Sequence, residues 1–177
     1  MSDTGFHPMM PGFEDTTEYR HITSDFVETV NLDGREILKI DPEGIAQLAA
    51  EGFSDTSHLL RPGHLAQLAQ ILDDPEASEN DRFVAMDLLK NANIAAGRIF
   101  PMCQDTGTAI VMGKKGENVW VEGDDEEAIS EGIRRTYLTD NLRYSQLAPL
   151  DMFNEIGTGD NLPAQVELYA EKGNGYK

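Results

Sequence analysis

The chain has 177 residues, of which 40% are hydrophobic and 26% are charged, a composition typical of a globular protein with a substantial core. Its 14 basic and 32 acidic residues give a net charge of −18, which disfavours nucleic acids and anionic membrane surfaces as partners. No apolar run approaches the roughly 20 residues that span a bilayer, and the amino terminus lacks a signal-peptide pattern, so we expect a cytoplasmic protein.

The amino-terminal part of the chain predicts an arm followed by the folded region. Residues 1–15 mix Gly, Pro, Met and Phe without periodicity, which indicates an irregular arm. Residues 16–177 carry the patterned elements and form the second predicted region. The first of these elements is a short strand over residues 35–40, which follows the turn signal Asp33-Gly34.

Three helices are predicted next, and each has a residue type suited to its first turn. They begin at Asp41-Pro42, at Arg61-Pro62-Gly63 and at Ser78, where Asp81 completes a capping box. Gly97 is expected to end the third helix in the left-handed conformation. Apolar residues at helical spacing predict that the three helices pack together, with these inner faces: Ile45, Leu48, Ala49 and Phe53; Leu65, Leu68, Ala69 and Leu72; Phe83, Met86, Leu89 and Ile94.

The pattern changes to short strands after Arg98. Residues 108–112 and 117–121 are separated by a Lys-Lys-Gly turn and predict a hairpin, with Trp120 in the core. A fourth helix is expected from Asp124, and its acidic first turn suits the helix dipole. Its predicted inner face contains Ala128, Ile133 and Tyr137.

The carboxy-terminal part predicts one further strand. Residues 141–159 are rich in turn residues, and residues 164–170 alternate as a strand does. Residues 172–175 then form a turn signal, but only two residues follow it. An unpaired strand edge is unfavourable, so we interpret the chain as a truncated part of a larger domain. The fold class is α+β, with a helix-rich first half followed by a small mixed sheet with helices.

The segment Cys103-Gln104-Asp105-Thr106-Gly107-Thr108 carries the most chemistry in the chain. It combines a thiol, an amide, a carboxylate and two hydroxyls with a glycine that permits close backbone approach. A thiolate is a preferred ligand of iron–sulfur clusters. The alternatives are ordinary: a lone cysteine is often a small buried hydrophobe, and Asp105 is also suited to stabilising a turn.

The segment PMCQDTGTAIVMGKKGENVW resembles the amino-terminal domain of class I fumarate hydratases, which are iron–sulfur enzymes. The resemblance extends over nearly the whole chain, through residues 15–27, GREILKI, residues 60–85 and residues 140–169. The same superfamily contains L-tartrate dehydratases. The resemblance therefore defines a reaction type more securely than a substrate.

The resemblance implies a hydro-lyase that adds water reversibly to fumarate, giving L-malate, on a 4Fe-4S cluster held by three cysteines. Cys103 matches the first of these ligands, and Gln104 and Asp105 match residues expected at the dicarboxylate substrate. Asp105 is the expected catalytic residue. Arg143 matches an arginine that grips a substrate carboxylate, although an arginine among so many acids is also suited to a salt bridge. The full-length parent is expected to be a homodimer.

The match to the family is incomplete in one respect. The other two cluster cysteines of the family lie beyond residue 177, and one thiolate cannot hold the cluster. We therefore expect the isolated chain to be inactive and free of a cluster. A non-catalytic interaction or regulatory module on the same fold is the alternative from a different class.

Overall fold

The computed structural model describes residues 18–103, 107–149 and 151–177. The predicted arm, residues 1–15, lies outside the described residues. In chain order the described elements are β1 (Val27–Leu32), β2 (Arg35–Ile40), α1 (Pro42–His58), α2 (Pro62–Asp73), α3 (Glu79–Ala95), β3 (Ile110–Gly116), β4 (Val119–Val121), α4 (Asp125–Thr139), β5 (Leu147–Pro149), β6 (Glu155–Gly157) and β7 (Gln165–Glu171). The predicted α+β class is confirmed.

The first two strands form an antiparallel hairpin. Its turn residues Asp33 and Gly34 have φ angles of 49° and 81°, the left-handed pair that tight hairpin turns require. The amide of Gly34 donates a hydrogen bond of 3.1 Å to Oδ1 of Asn31. The strand predicted over residues 35–40 is confirmed, whereas its partner β1 was not predicted.

Side-chain caps fix the helix starts where the sequence places them. Oδ1 of Asp41 accepts a hydrogen bond of 2.8 Å from the amide of Glu43 at the start of α1. Ser78 and Asp81 form a reciprocal capping box at the start of α3, and Asp124 caps α4. These residues satisfy amide groups that have no partner within the helix.

The prediction that α1, α2 and α3 pack together holds in part, because α3 contacts both α2 and α1. α1 packs chiefly against α4, whereas α2 and α3 pack against each other. The predicted inner face of α4 is confirmed, because Ala128, Ile133 and Tyr137 are all buried. The core cluster combines this face with α1, β2, β4 and the residue before β3; its buried members are Ile40, Ile45, Ala109, Val119, Ala128, Ile129, Ile133 and Tyr137.

Several apolar side chains predicted to be buried are exposed instead. In α3, Phe83 and Ile94 are 64% and 62% exposed, and the helix buries alanines on another face. Leu48 of α1 and Trp120 of β4 are also exposed. Helical spacing identifies an apolar stripe, but it does not specify which surface lies opposite. The predicted inner face of α3 and the predicted core position of Trp120 are therefore wrong.

The predicted hairpin between residues 108–112 and 117–121 is also wrong. β3 and β4 are adjacent in the chain but belong to different sheets. β3 pairs in parallel with β7, and β4 pairs in parallel with β2. The amides of Glu117 and Asn118 in the intervening turn donate to the carbonyls of Glu171 and Gly173 at 2.9 and 3.0 Å. The backbone amides of this turn are thus hydrogen-bonded by a segment that is distant in the chain.

The last residues of the chain return to the sheet. Tyr176 forms an antiparallel bridge with Lys115 of β3, and Lys177 exchanges backbone hydrogen bonds of 2.7 and 2.9 Å with Lys114. The hydroxyl of Tyr176 donates to Oδ1 of Asp125 at 2.6 Å. β7 is paired within the chain, so the prediction of an unpaired final strand is wrong.

The contact between α1 and α4 depends on Gly132. A Cβ atom at this position would lie 2.2 Å from the carbonyl oxygen of Ala46, 2.7 Å from Cβ of Ala49 and 2.9 Å from the amide nitrogen of Ala50. Two of these atoms belong to the backbone and cannot move without separating the helices. We expect Gly132→Ala to lower the free energy of unfolding by about 1–3 kcal/mol, the usual cost of overpacking.

Urea unfolding of the chain, followed by circular dichroism, measures this effect. Gly52→Ala is the matched control, because Gly52 lies inside α1 and its added methyl group meets nothing within 4 Å. There the same substitution is expected to stabilise the helix by about 0.5–1 kcal/mol. Equal effects of the two substitutions would contradict the close approach at Gly132.

Candidate active site

Hydrogen bonds hold the backbone on the amino-terminal side of Cys103 to α1, to α3 and to the segment that follows α4. The amide of Met102 donates to the carbonyl of Ser57 in α1 at 2.9 Å. The amide of Cys103 donates to Oδ1 of Asn91 in α3 at 3.0 Å, and Nδ2 of Asn141, which follows α4, donates to the carbonyl of Ile99 at 2.8 Å. The backbone of Cys103 is therefore held although no strand or helix contains it.

Arg98 begins this stretch of hydrogen-bonded backbone. Its φ angle is 58°, a left-handed conformation that is uncommon for a side chain of this size. The prediction that Gly97 ends α3 in this conformation is wrong, because the left-handed residue is the next one along. The Arg98 guanidinium donates to Asp55 and, at 3.2 Å, to Oγ of Ser54. These bonds to α1 offset the cost of the backbone conformation.

The thiol of Cys103 is exposed. This excludes the alternative of a small buried hydrophobe and leaves the sulfur accessible to a ligand. Gln104 and Asp105 lie outside the described residues, so their predicted roles stay predictions. We refer to the described residues on either side of this gap, 102–103 and 107–108, as the cysteine loop.

The carboxy-terminal side of the cysteine loop is attached to the segment that contains Arg143. We call residues 141–146 the arginine segment; Arg143 itself is exposed. Oγ1 of Thr108 donates to Oε1 of Gln146 at 3.0 Å, and Oγ of Ser145 lies 3.5 Å from the carbonyl oxygen of Gly107. The structure thus brings two of the sequence-predicted regions side by side.

The side chain of Asn161 joins these two regions, and sequence reasoning missed it. Asn161 is completely buried and has a φ angle of 59°. Its Oδ1 atom accepts hydrogen bonds of 2.8 and 2.9 Å from the amides of Ser145 and Gln146. Its Nδ2 atom donates to the carbonyl of Gly107 at 3.2 Å. The only signal in the sequence is an asparagine in a turn-rich stretch, which is also typical of a solvent-exposed turn.

A cleft of about 580 Å³ lies elsewhere, between α1 and α4. Its cationic residue Arg135 already bonds Glu43 and Glu131, at 2.8 and 2.9 Å. Nε of Arg134 donates a hydrogen bond of 2.7 Å to Glu131. Arg134 and Arg135 together lower the pKa of Glu131 to about 2, because their hydrogen bonds stabilise its charged form. With its guanidinium paired, this cleft offers an anionic substrate little attraction.

The described residues contain part of a metal site at most. No group of three or more His, Cys, Asp or Glu side chains within residues 18–103, 107–149 and 151–177 could hold a metal ion. The exposed thiol of Cys103 fits one ligand of a cluster, and any further ligands would have to come from outside these residues. Within the same described part of the chain, no helix is long and apolar enough to cross a membrane.

Comparison with known proteins defines the class. Residues 46–177 match the model of the fumarate hydratase (Fumerase) family. The chain is 55% identical over 167 residues to the anaerobic class I fumarate hydratase of Escherichia coli K12, covering 94% of this chain and 30% of that protein. It is 53% identical over 179 residues to the aerobic class I enzyme of the same strain, covering 100% of this chain and 33% of that protein.

A eukaryotic relative shows the same relation. The protein named fumarate hydratase 1, mitochondrial, of Leishmania major is 51% identical over 162 residues, which are 90% of this chain and 30% of that protein. The chain belongs to the class I fumarate hydratase family. It spans about a third of the length of the curated relatives that it matches.

Proposed function

We propose that this chain forms the amino-terminal part of an iron–sulfur hydro-lyase that reversibly hydrates fumarate to L-malate. The names of the relatives support the reaction, and residues 46–177 match the family model. The observation that carries the assignment to this chain is the attachment of the cysteine loop, with its exposed thiol, to the arginine segment through Asn161. A parent enzyme of this family would be a homodimer.

Each residue of the proposed site has a distinct task. Cys103 supplies one thiolate ligand to a 4Fe-4S cluster, which when bound provides a Lewis-acidic iron for the substrate. Arg143 binds a substrate carboxylate through the two parallel hydrogen bonds that a guanidinium can donate. Gln104 contacts the substrate, and Asp105 moves the proton between the substrate carbon and the protein.

The charge of the chain gives Arg143 a second task. A dianionic substrate is repelled by a protein with a net charge of −18. A guanidinium on an exposed segment next to the cysteine loop opposes that repulsion locally.

A chimeric enzyme tests the proposal. In it, this chain replaces the matching amino-terminal third of the aerobic class I fumarate hydratase of Escherichia coli, hereafter the chimera. We expect the anaerobically prepared chimera to hydrate fumarate, and a folded, cluster-containing chimera without activity would contradict the proposal. The 177-residue chain alone, reconstituted with iron and sulfide, is expected to bind no cluster because it has one cysteine. A parallel assay with L-tartrate distinguishes the tartrate dehydratase alternative.

Substitution of Arg143 by lysine tests its task in the chimera. Lysine keeps the positive charge but cannot donate two parallel hydrogen bonds to one carboxylate. We expect KM for fumarate to rise about tenfold, since a hydrogen bond to a charged group is lost. Arg134→Lys is the control, because Arg134 bonds Glu131 on the surface of α4. An unchanged KM for Arg143→Lys in steady-state kinetics would refute the role.

A further inference from the structure

We infer that Asn161 is a positioning residue, which fixes the cysteine loop relative to the arginine segment. Its three hydrogen bonds join Gly107 to Ser145 and Gln146. Among the described strands, β3 pairs with β7 and β5 pairs with β6, so no strand pairing joins these two stretches directly to each other. The functional meaning of this coupling rests on the proposed function, because the joined stretches carry the proposed cluster ligand on one side and the arginine proposed to bind substrate on the other.

The chemistry of the side chain suits this task. The amides of Ser145 and Gln146 can only donate, and the carbonyl of Gly107 can only accept. An asparagine amide presents one acceptor oxygen and one donor nitrogen from a single rigid plane, and here each faces its complement. Because Asn161 is fully buried, water cannot replace a lost bond at low cost.

Local backbone geometry also favours asparagine. The φ angle of Asn161 is 59°, in the left-handed region that asparagine tolerates better than most residues. Further contacts align the joined stretches: Oγ1 of Thr108 bonds Oε1 of Gln146 at 3.0 Å, and the amide of Thr158 bonds the carbonyl of Gln146 at 3.2 Å. Asn161 lies at the centre of this network and contacts both sides of it.

Two substitutions of Asn161 distinguish its hydrogen bonds to Ser145 and Gln146 from its hydrogen bond to Gly107. Asn161→Asp keeps the oxygen that faces Ser145 and Gln146 but places a second carboxylate oxygen against the carbonyl oxygen of Gly107. Asn161→Ala removes all three hydrogen bonds. We therefore expect the aspartate variant to lose only the hydrogen bond to Gly107, and the alanine variant to lose this bond and those to Ser145 and Gln146.

Hydrogen–deuterium exchange of the 177-residue chain measures this separation. In Asn161→Ala, the amides of Ser145 and Gln146 should exchange about fivefold faster or more, as expected for loss of a hydrogen bond. In Asn161→Asp these amides should keep their protection, while the backbone around Gly107 exchanges faster. Asn174→Asp is the control, since the side chain of Asn174 bonds Glu36 in an exposed turn. A uniform change over all helices, or none, would overturn the inference.

The single cysteine provides a second readout that a purely structural role would not alter. Alkylation by anionic iodoacetate relative to neutral iodoacetamide reports the electrostatic potential at Cys103, the only thiol in the chain. At low ionic strength we expect Asn161→Ala to lower this ratio about twofold or more, because Asn161 no longer joins the segment that carries Arg143 to Gly107. Arg143→Gln should lower the ratio similarly, and the double variant should add little.

An unchanged ratio in Asn161→Ala would contradict the positioning role even if the variant were less stable. If the alanine variant does not fold, the exchange pattern of Asn161→Asp decides the question. Neither readout requires iron or turnover. These measurements can therefore contradict the positioning role of Asn161 even if the chimera is active. They can also support that role if the chimera is inactive and the proposed function fails.

Discussion

Replacement of Cys103 by serine is expected to abolish both the cluster absorbance and the fumarate hydratase activity of the chimera. A serine hydroxyl is a harder and much less acidic ligand than a thiol, and iron–sulfur clusters are held by thiolates. The chain supplies no second cysteine to take its place. Absorbance in the cluster charge-transfer region, iron content and the fumarate assay on anaerobic protein provide the measurements.

The same substitution in the 177-residue chain provides the control for folding. The side chain of Cys103 is exposed, and its position is fixed through its backbone amide, which bonds Asn91. We therefore expect Cys103→Ser to change the free energy of unfolding by less than about 0.5 kcal/mol, as is usual for surface substitutions. A large loss of stability would indicate a structural cysteine. Retention of cluster and activity in the chimera would exclude Cys103 as a ligand.

Local signals in the sequence predicted the helix starts, because they depend on residues that are neighbours in the chain. The hydrogen bonds that the amides of Glu43 and Asp81 donate to the side chains of Asp41 and Ser78 span two or three residues. A side chain of the right type at that spacing suffices to predict them.

Pairing between distant segments could not be predicted in the same way. β4 pairs with β2 rather than with its neighbour β3, although β2 lies on the other side of three helices in the chain. A turn signal predicts a reversal of direction, but it does not determine which strand lies alongside. The exposed Phe83 shows the same limit for a helix, since its spacing identified a stripe and not the surface opposite it.

For the candidate site, the family resemblance predicts Cys103 and Arg143 as functional residues, and these roles stay predictions. The hydrogen bonds that hold their segments were not predicted, because Asn91 and Asn161 resemble ordinary polar residues in the sequence. Their importance arises from burial or from partners that are 12 to 54 residues away.

Substitution of Asp105 by asparagine distinguishes the two interpretations of this carboxylate. An asparagine side chain accepts the same local hydrogen bonds as aspartate in a turn, so a turn-stabilising residue would tolerate the change. An amide cannot take up a proton at neutral pH. If Asp105 moves a proton during hydration, we expect kcat of the chimera to fall about 10²- to 10⁴-fold, the usual contribution of a positioned acid or base.

The control for this substitution is Asp151→Asn. Oδ1 of Asp151 accepts hydrogen bonds of 2.7 and 2.9 Å from the amides of Phe153 and Asn154, which is the turn-stabilising role in question. We expect near-normal turnover from this control. Asp105→Ala, which removes both the acceptor and the proton-binding group, should be no less impaired than Asp105→Asn. A chimera that carries Asp105→Asn and turns over fumarate at a normal rate would favour the turn over the catalytic role, since only the capacity to bind a proton differs between the two side chains.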